Sequence, residues 1–219
     1  EWWRGVRFAA PVDVWVVGVT SQRVRDTIQQ KLFGRLGRMG TGMIPKKYIV
    51  EDSQIKKTGT PMAIDRIDIK HESGGLSSIQ FFSYDQGMEK FMGSSVNIVW
   101  FDEEPPSDIY IEGLTRTNAT AGMVMMTFTP LLGMSDTVRR FLMEKPPGTH
   151  VTSMTIDDAE HYTPEQREAI IASYPAHERD ARTKGIPSLG SGRVFPLARE
   201  QIQVQSFPIP DHWPQLCGI

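Results

Sequence analysis

The spacing of hydrophobic and polar positions changes several times along the chain. Residues 12–20, VDVWVVGVT, are the β-branched apolar run expected of a strand covered on both faces, and Ser21 then offers a helix cap. In the next stretch, SQRVRDTIQQKLF, Val24, Ile28 and Leu32 recur every fourth residue and line one helical face. Residues 34–47, GRLGRMGTGMIPKK, have no core period and predict a loop. The runs AIDRIDIKH and LSSIQFFSYD, separated by Glu72-Ser-Gly-Gly75, predict a hairpin, and DQGMEKFMG a short helix. An apolar run, VNIVWF, stops at Asp102, Glu103 and Glu104 and is closed by Pro105 and Pro106. A helix in SDIYIEGLTRT, a strand over Gly122–Thr129, a helix in MSDTVRRFLME capped by Ser135, and a strand in HVTSMTI complete the pattern. Strands alternating with helices favour an α/β fold, a mostly parallel sheet with helices on both faces.

The rest of the chain has another character. Thr163-Pro-Glu-Gln166 places Thr at the cap, Pro at the first helical position and Gln three residues after the cap, so a helix starts there. From Gly185 onward, Gly, Pro and Ser dominate around one strand pattern, QIQVQ. The division expected is a domain over residues 1–184, then a linker and first strand over 185–219 that lead to another domain.

Composition narrows the classes. The 219 residues are 39% hydrophobic, which supplies a sizeable core. No apolar run reaches the roughly 18 residues of a membrane span, and the first residues lack the apolar centre of a secretory signal, so a soluble protein is expected. Cys217 is the single cysteine and excludes an internal disulfide. A formal net charge of −2 excludes whole-protein attraction to nucleic acid, so any such contact needs a local patch. Arg35, Arg38, Lys46 and Lys47 on the glycine-rich loop are the candidate patch, with a solvated loop as the plainer reading. The chain opens without Met and stops at Ile219, so it is expected to be part of something longer.

The three carboxylates carry the chemistry. At the carboxyl end of a parallel strand, Asp102 is placed to face a hydrated Mg²⁺, and Glu103 to orient or deprotonate a water. This is the logic of the Walker B motif of P-loop ATPases, although a strand ending in a solvated acidic turn has the same text. The following strand stops on Thr127-Phe-Thr-Pro130, which brings hydroxyls to the same sheet edge.

Together VDVWVVGVTSQRVRDTIQQKLFG, GTGMIPK, SYDQGMEKFMG, IVWFDEEPP and TFTPLLG resemble the ATPase domain of the large terminase subunit of tailed bacteriophages. The resemblance implies a P-loop NTPase fold of the RecA-like, ASCE type, ATP as substrate, Mg²⁺ on Asp102, Glu103 as the catalytic glutamate, and a coupling motif at Thr127 and Thr129. It further implies a motor that drives double-stranded DNA into a procapsid and works as a homo-oligomeric ring with a small terminase subunit and a portal in the host cytoplasm. One departure matters: no G-x-x-x-x-G-K-[ST] string is present. The phosphate loop is therefore expected upstream, the fold incomplete at its N-terminus, a nuclease domain downstream of HWPQLCGI, and the chain inactive alone.

Two other classes stay open: a helicase-like, DNA-stimulated ATPase, and a metal-dependent nuclease or interaction domain with an acidic rim. Arg116 and Arg182 are candidates for an arginine that stabilises phosphoryl charge, with structural ion pairs as the alternative. His161, His177 and His212 show no ligand spacing. Trp2, Trp3, Trp15 and Trp100 are read as packing residues, and Met123, Met125 and Met126 as core.

Overall fold

The computed structural model describes residues 8–187. Trp2, Trp3, the QIQVQ strand, His212 and Cys217 lie outside the described residues. Among those described, six strands make one sheet: β1 (Asp13–Gly18), β2 (Ile49–Lys56), β3 (Ile64–Lys70), β4 (Leu76–Ser83), β5 (Ile98–Asp102) and β6 (Met123–Thr127), in the order β2-β3-β4-β1-β5-β6. β1 runs parallel to β4 and to β5, and β5 to β6. The outer pairs β2–β3 and β3–β4 are antiparallel. The helices are α1 (residues 21–33, widened to a π turn over Val24–Gln29), α2 (Ser107–Asn118), α3 (136–144), α4 (Pro164–Ser173) and α5 (Arg179–Lys184). The chain divides into two compact units. Among the described residues, one runs to Pro130 and includes Ser135–Val151; the other holds Leu131–Met134 and residues 152–187.

The alternation along β1 explains why helices cover both faces. Trp15 and Val17 point to one side, where Phe82, Phe91, Val99, Phe101 and the α2 residues Ile109 and Tyr110 bury them. Val16 points to the other, against Val24, Ile28 and Phe33 of α1 together with Ile67, Ile79 and Phe81. Each such fully buried side chain contributes about 1.5 to 3 kcal/mol relative to exposure. Gly18 lets α1 close on the strand end, because a Cβ there would stand 2.8 Å from Val24 Cγ2. Gly34, at φ 99°, ends α1 where a side chain would strike Thr41. The loop then turns back, and the N–H groups of Met43 and Ile44 donate to the carbonyls of Lys31 and Leu32, which α1 itself leaves unpaired.

Several elements differ from the sequence expectation. β2 carries Glu51, Asp52, Ser53 and Gln54, has no apolar alternation, and is strand only through its irregular pairing with β3. HVTSMTI forms no strand. Val151 and Met154 are exposed, so the run has no face to bury, and Thr155 instead caps a 3₁₀ turn over Ile156–Asp158. DQGMEKFMG makes two 3₁₀ turns separated by Gly87 and not a helix. Met125 is 45% exposed, because it points away from the face on which Met126 packs. The caps at Ser135 and Thr163 form as read, the second with its reciprocal Gln166 bond.

Candidate functional site

β5 delivers Asp102 to the carboxyl edge of the parallel strands, paired in register with Thr127 of β6. Residues opposite each other on neighbouring strands share a face, so the two side chains meet. Thr127 Oγ1 donates to Asp102 Oδ1 at 3.0 Å and accepts from Trp100 Nε1 at 2.9 Å. Trp100 stands two residues before Asp102 and hence on the same face. Its indole orients the threonine, which orients the carboxylate. A reading of Trp100 as packing alone misses this; the signal is a polar-tipped aromatic at i−2 from a strand-end acid.

Glu103 leaves the sheet in a left-handed conformation, φ 70°, which non-glycine residues adopt only when surroundings enforce it. Its N–H donates to Thr127 O at 2.7 Å, and its carbonyl accepts from Tyr84 Oη at 2.8 Å. Tyr84 Oη also lies 3.2 Å from the carbonyl of Asp102. Burial, and next the charges of Asp102 and Glu103, push the Tyr84 phenol far upward, so it stays a donor at any physiological pH. Glu104 points elsewhere. Ser135 Oγ donates to its Oε2 at 2.5 Å while accepting from Val138 N–H, so the α3 cap and the carboxylate turn are joined through one hydroxyl. Burial raises the Glu104 carboxyl, the Ser135 bond opposes this, and the Glu103 charge adds to it.

On the α1 side, Arg23, Thr27 and Lys31 stand one turn apart and, with Gly18, Val19, Asp102 and Glu103, enclose a cleft of about 190 Å³. Thr129 lies two residues past the end of β6, and no hydrogen bond joins it to Asp102 or Glu103 among the described residues. Arg116 is occupied in an intrahelical pair with Glu112 at 2.8 Å, and Arg182 pairs with Glu178, the residue that caps α5, at 2.6 Å. Lys46 pairs with Glu51 and Lys47 lies over the Tyr48 ring. His161 stacks on Tyr162 and His177 sits beside Glu178. No cluster of three or more His, Cys, Asp or Glu suited to a metal ion occurs among the described residues. An all-protein cage is therefore absent from them, but Mg²⁺ characteristically needs one or two carboxylates, with water and substrate phosphates completing its shell. Asp102, fixed by Thr127 through one oxygen, fits that requirement.

Residues 14–202 match the family described as terminase large subunit, T4likevirus-type, N-terminal. The large terminase subunit of Salmonella phage P22 is 47% identical over 219 residues, 96% of this chain and 44% of that protein. The large subunit of Enterobacteria phage LP7 is 41% identical over 203 residues, 90% of this chain and 42% of that protein. The chain thus spans less than half the length of these relatives. The large terminase of a thermophilic bacteriophage superposes with a TM-score of 0.59 at 13% identity, over 80% of this chain and 41% of that one. A second structure of it, in complex with ADP, gives 0.54 at 12% identity, over 78% and 39%. No helix among the described residues is long and apolar enough to cross a membrane. With its family matched over most of its length and its α/β sheet shared with solved large terminases, this chain belongs to the terminase large subunit family, matching the T4likevirus-type N-terminal part.

Proposed function

We propose that this chain forms the ATP-hydrolysing part of a viral DNA-packaging motor that moves double-stranded DNA into a procapsid. The observation that carries the reading is the Asp102–Thr127 hydrogen bond beside a Glu103 held in a strained turn at the carboxyl edge of the sheet. Glu103 takes the proton of the attacking water. Asp102 holds the metal side of the nucleotide, and Thr127 links that carboxylate to the next strand, where a change in phosphate state is felt as a change in β6. Bound Mg²⁺ supplies charge neutralisation of the phosphates. Thr129 continues the same coupling segment. The chain contains no G-x-x-x-x-G-K-[ST] string, so on this reading the phosphate-cradling backbone comes from residues outside it.

Residues 1–184 are the ATPase part and residues 185–219 lead toward a nuclease domain. The assembled partners are the small terminase subunit, the portal of the procapsid and further copies of the chain in a ring, in the host cytoplasm. The test is the Mg²⁺ requirement of DNA-stimulated ATP turnover by the intact polypeptide. Asp102→Asn should raise the half-saturating Mg²⁺ concentration by about tenfold or more, the scale of losing one strong charge-assisted contact. An unchanged requirement would contradict the assignment.

A further inference from the structure

We propose that Arg23 contacts the terminal phosphate of the bound nucleotide and stabilises the charge developing on it during hydrolysis. This rests on the nucleotide reading above and adds a residue to it from the opposite wall of the cleft. Arg23, on the first turn of α1, lines the same 190 Å³ cleft as Asp102 and Glu103. Its backbone is pinned at both ends: the N–H donates to Thr20 Oγ1 at 3.3 Å and the carbonyl accepts from Thr27 Oγ1 at 2.5 Å. The guanidinium, in contrast, has no ion-pair partner among the described residues. Arg25, two positions on, is bound to Asp26 at 2.7 Å, and Arg116 and Arg182 are paired with Glu112 and Glu178.

The cleft therefore keeps two walls of opposite sign that do not neutralise one another. An anion alone would be repelled by the carboxylates, and a cation alone by Arg23 and Lys31. A phosphate carrying a divalent cation satisfies both walls. The volume lies below the ~300 to 1,000 Å³ of a pocket that encloses a whole ligand, which suits the phosphate end of a nucleotide. Lys31 lines the same wall eight residues further along α1, its backbone displaced by about 12 Å at 1.5 Å per residue, so the two cations enter the cleft from different points. Gly18 sets the approach of α1, since any side chain there would push Val24, the neighbour of Arg23, away from the strand end.

In the reaction, the water oxygen bonds to the terminal phosphorus and the bond from that phosphorus to the bridging oxygen breaks, its electron pair leaving on ADP. The water proton passes to Glu103. Arg23 remains protonated throughout and donates N–H groups to the oxygens of the phosphoryl group in transit.

The experiment uses the intact polypeptide with Arg23→Gln, Arg23→Lys, Arg25→Gln and Glu103→Gln. Single-turnover hydrolysis is read together with affinities for Mg-ADP and for a Mg-bound non-hydrolysable ATP analogue. Arg23→Gln should slow hydrolysis by about 10² to 10³-fold, at or below the range of an arginine in this role. It should weaken the analogue severalfold and leave Mg-ADP, which lacks the terminal phosphate, unchanged. Arg25→Gln should hydrolyse like the parent. Should Arg23→Gln fail to fold, Arg23→Lys, which keeps charge and length but loses the fork, carries the same comparison. Equal weakening of analogue and ADP, or hydrolysis within about threefold of the parent while Glu103→Gln is inactive, would overturn the role of Arg23 alone, since a residue acting at the transition state costs far more. Unimpaired turnover by Glu103→Gln would instead remove the nucleotide reading itself, and the inference with it.

Discussion

Thr127 Oγ1 donates to Asp102 Oδ1 at 3.0 Å, and it can do so because the two residues are register partners on adjacent parallel strands. The same hydroxyl receives the Trp100 indole N–H, so its lone pair and its proton are both assigned.

Thr127→Val keeps the branched shape and removes both bonds. A net hydrogen bond contributes about 0.5 to 1.5 kcal/mol, so the change in melting temperature should be small at this exposed position. The larger effect is expected in Mg-ATP affinity, lower by roughly tenfold because Asp102 is no longer held in one rotamer. Titration calorimetry on the intact polypeptide measures this, and an unchanged affinity would mean that Thr127 does not position the acid.

Tyr84→Phe removes the phenol that holds the carbonyl of Glu103. The turn at φ 70° costs on the order of 1 to 3 kcal/mol and persists only while its surroundings over-determine it. With that anchor gone, turnover should fall by about 10 to 10²-fold while KM moves little, the pattern of a misplaced catalytic group. Steady-state kinetics separate the two constants; a loss confined to KM would place Tyr84 in binding and not in the shaping of the turn.

Gly18→Ala places a methyl 2.8 Å from Val24 Cγ2 and 3.3 Å from Ile28 Cδ1, both fully buried against β1. Overpacking of this kind costs about 1 to 3 kcal/mol. Denaturant unfolding of the intact polypeptide should show a lower midpoint with an unchanged slope. No loss of stability would mean that α1 does not sit as closely as its packing indicates.

Lys46 lies beside Glu51 and Lys47 over the Tyr48 ring, whereas Arg35 and Arg38 have no ion-pair partner among the described residues and are the first loop cations to test for DNA contact. Replacing both arginines with Ala should reduce the log–log salt slope of double-stranded DNA binding by about 1.8, at roughly 0.9 per phosphate contact. An unchanged slope would return the loop to a solvated role.

Much of this was legible in the residues. Apolar runs marked β1, β5 and β6, and Ser135 and Thr163 announced their helices, because caps and buried strands are specified locally. β2 was not legible: Glu51, Asp52, Ser53 and Gln54 break any apolar alternation, and beyond the buried Ile49 the strand rests on its pairing with β3. HVTSMTI failed for the opposite reason, a strand-like composition whose Val151 and Met154 stay exposed. Asp102, Glu103 and Thr127 could be placed at one sheet edge from their positions at strand ends. The backbone strain at Glu103, the Tyr84 clamp and the Trp100 donor could not, since each depends on contacts across at least 18 residues of chain. Arg116 and Arg182 are candidates either for an arginine that stabilises phosphoryl charge or for structural ion pairs, and the ion pairs form. Their i,i+4 partners Glu112 and Glu178 were already written in the sequence, and Arg23 became visible only when α1 was laid against β5.

The central claim is that Glu103 activates water at a nucleotide held by Asp102, and Glu103→Gln in the intact polypeptide tests it most directly. The substitution keeps shape and removes the base. ATP turnover should fall by about 10² to 10⁴-fold with Mg-ATP affinity within about twofold of the parent, the cost of losing a positioned general base. Turnover within a few-fold of the parent would show that the carboxylate at this strained turn is not the catalytic base.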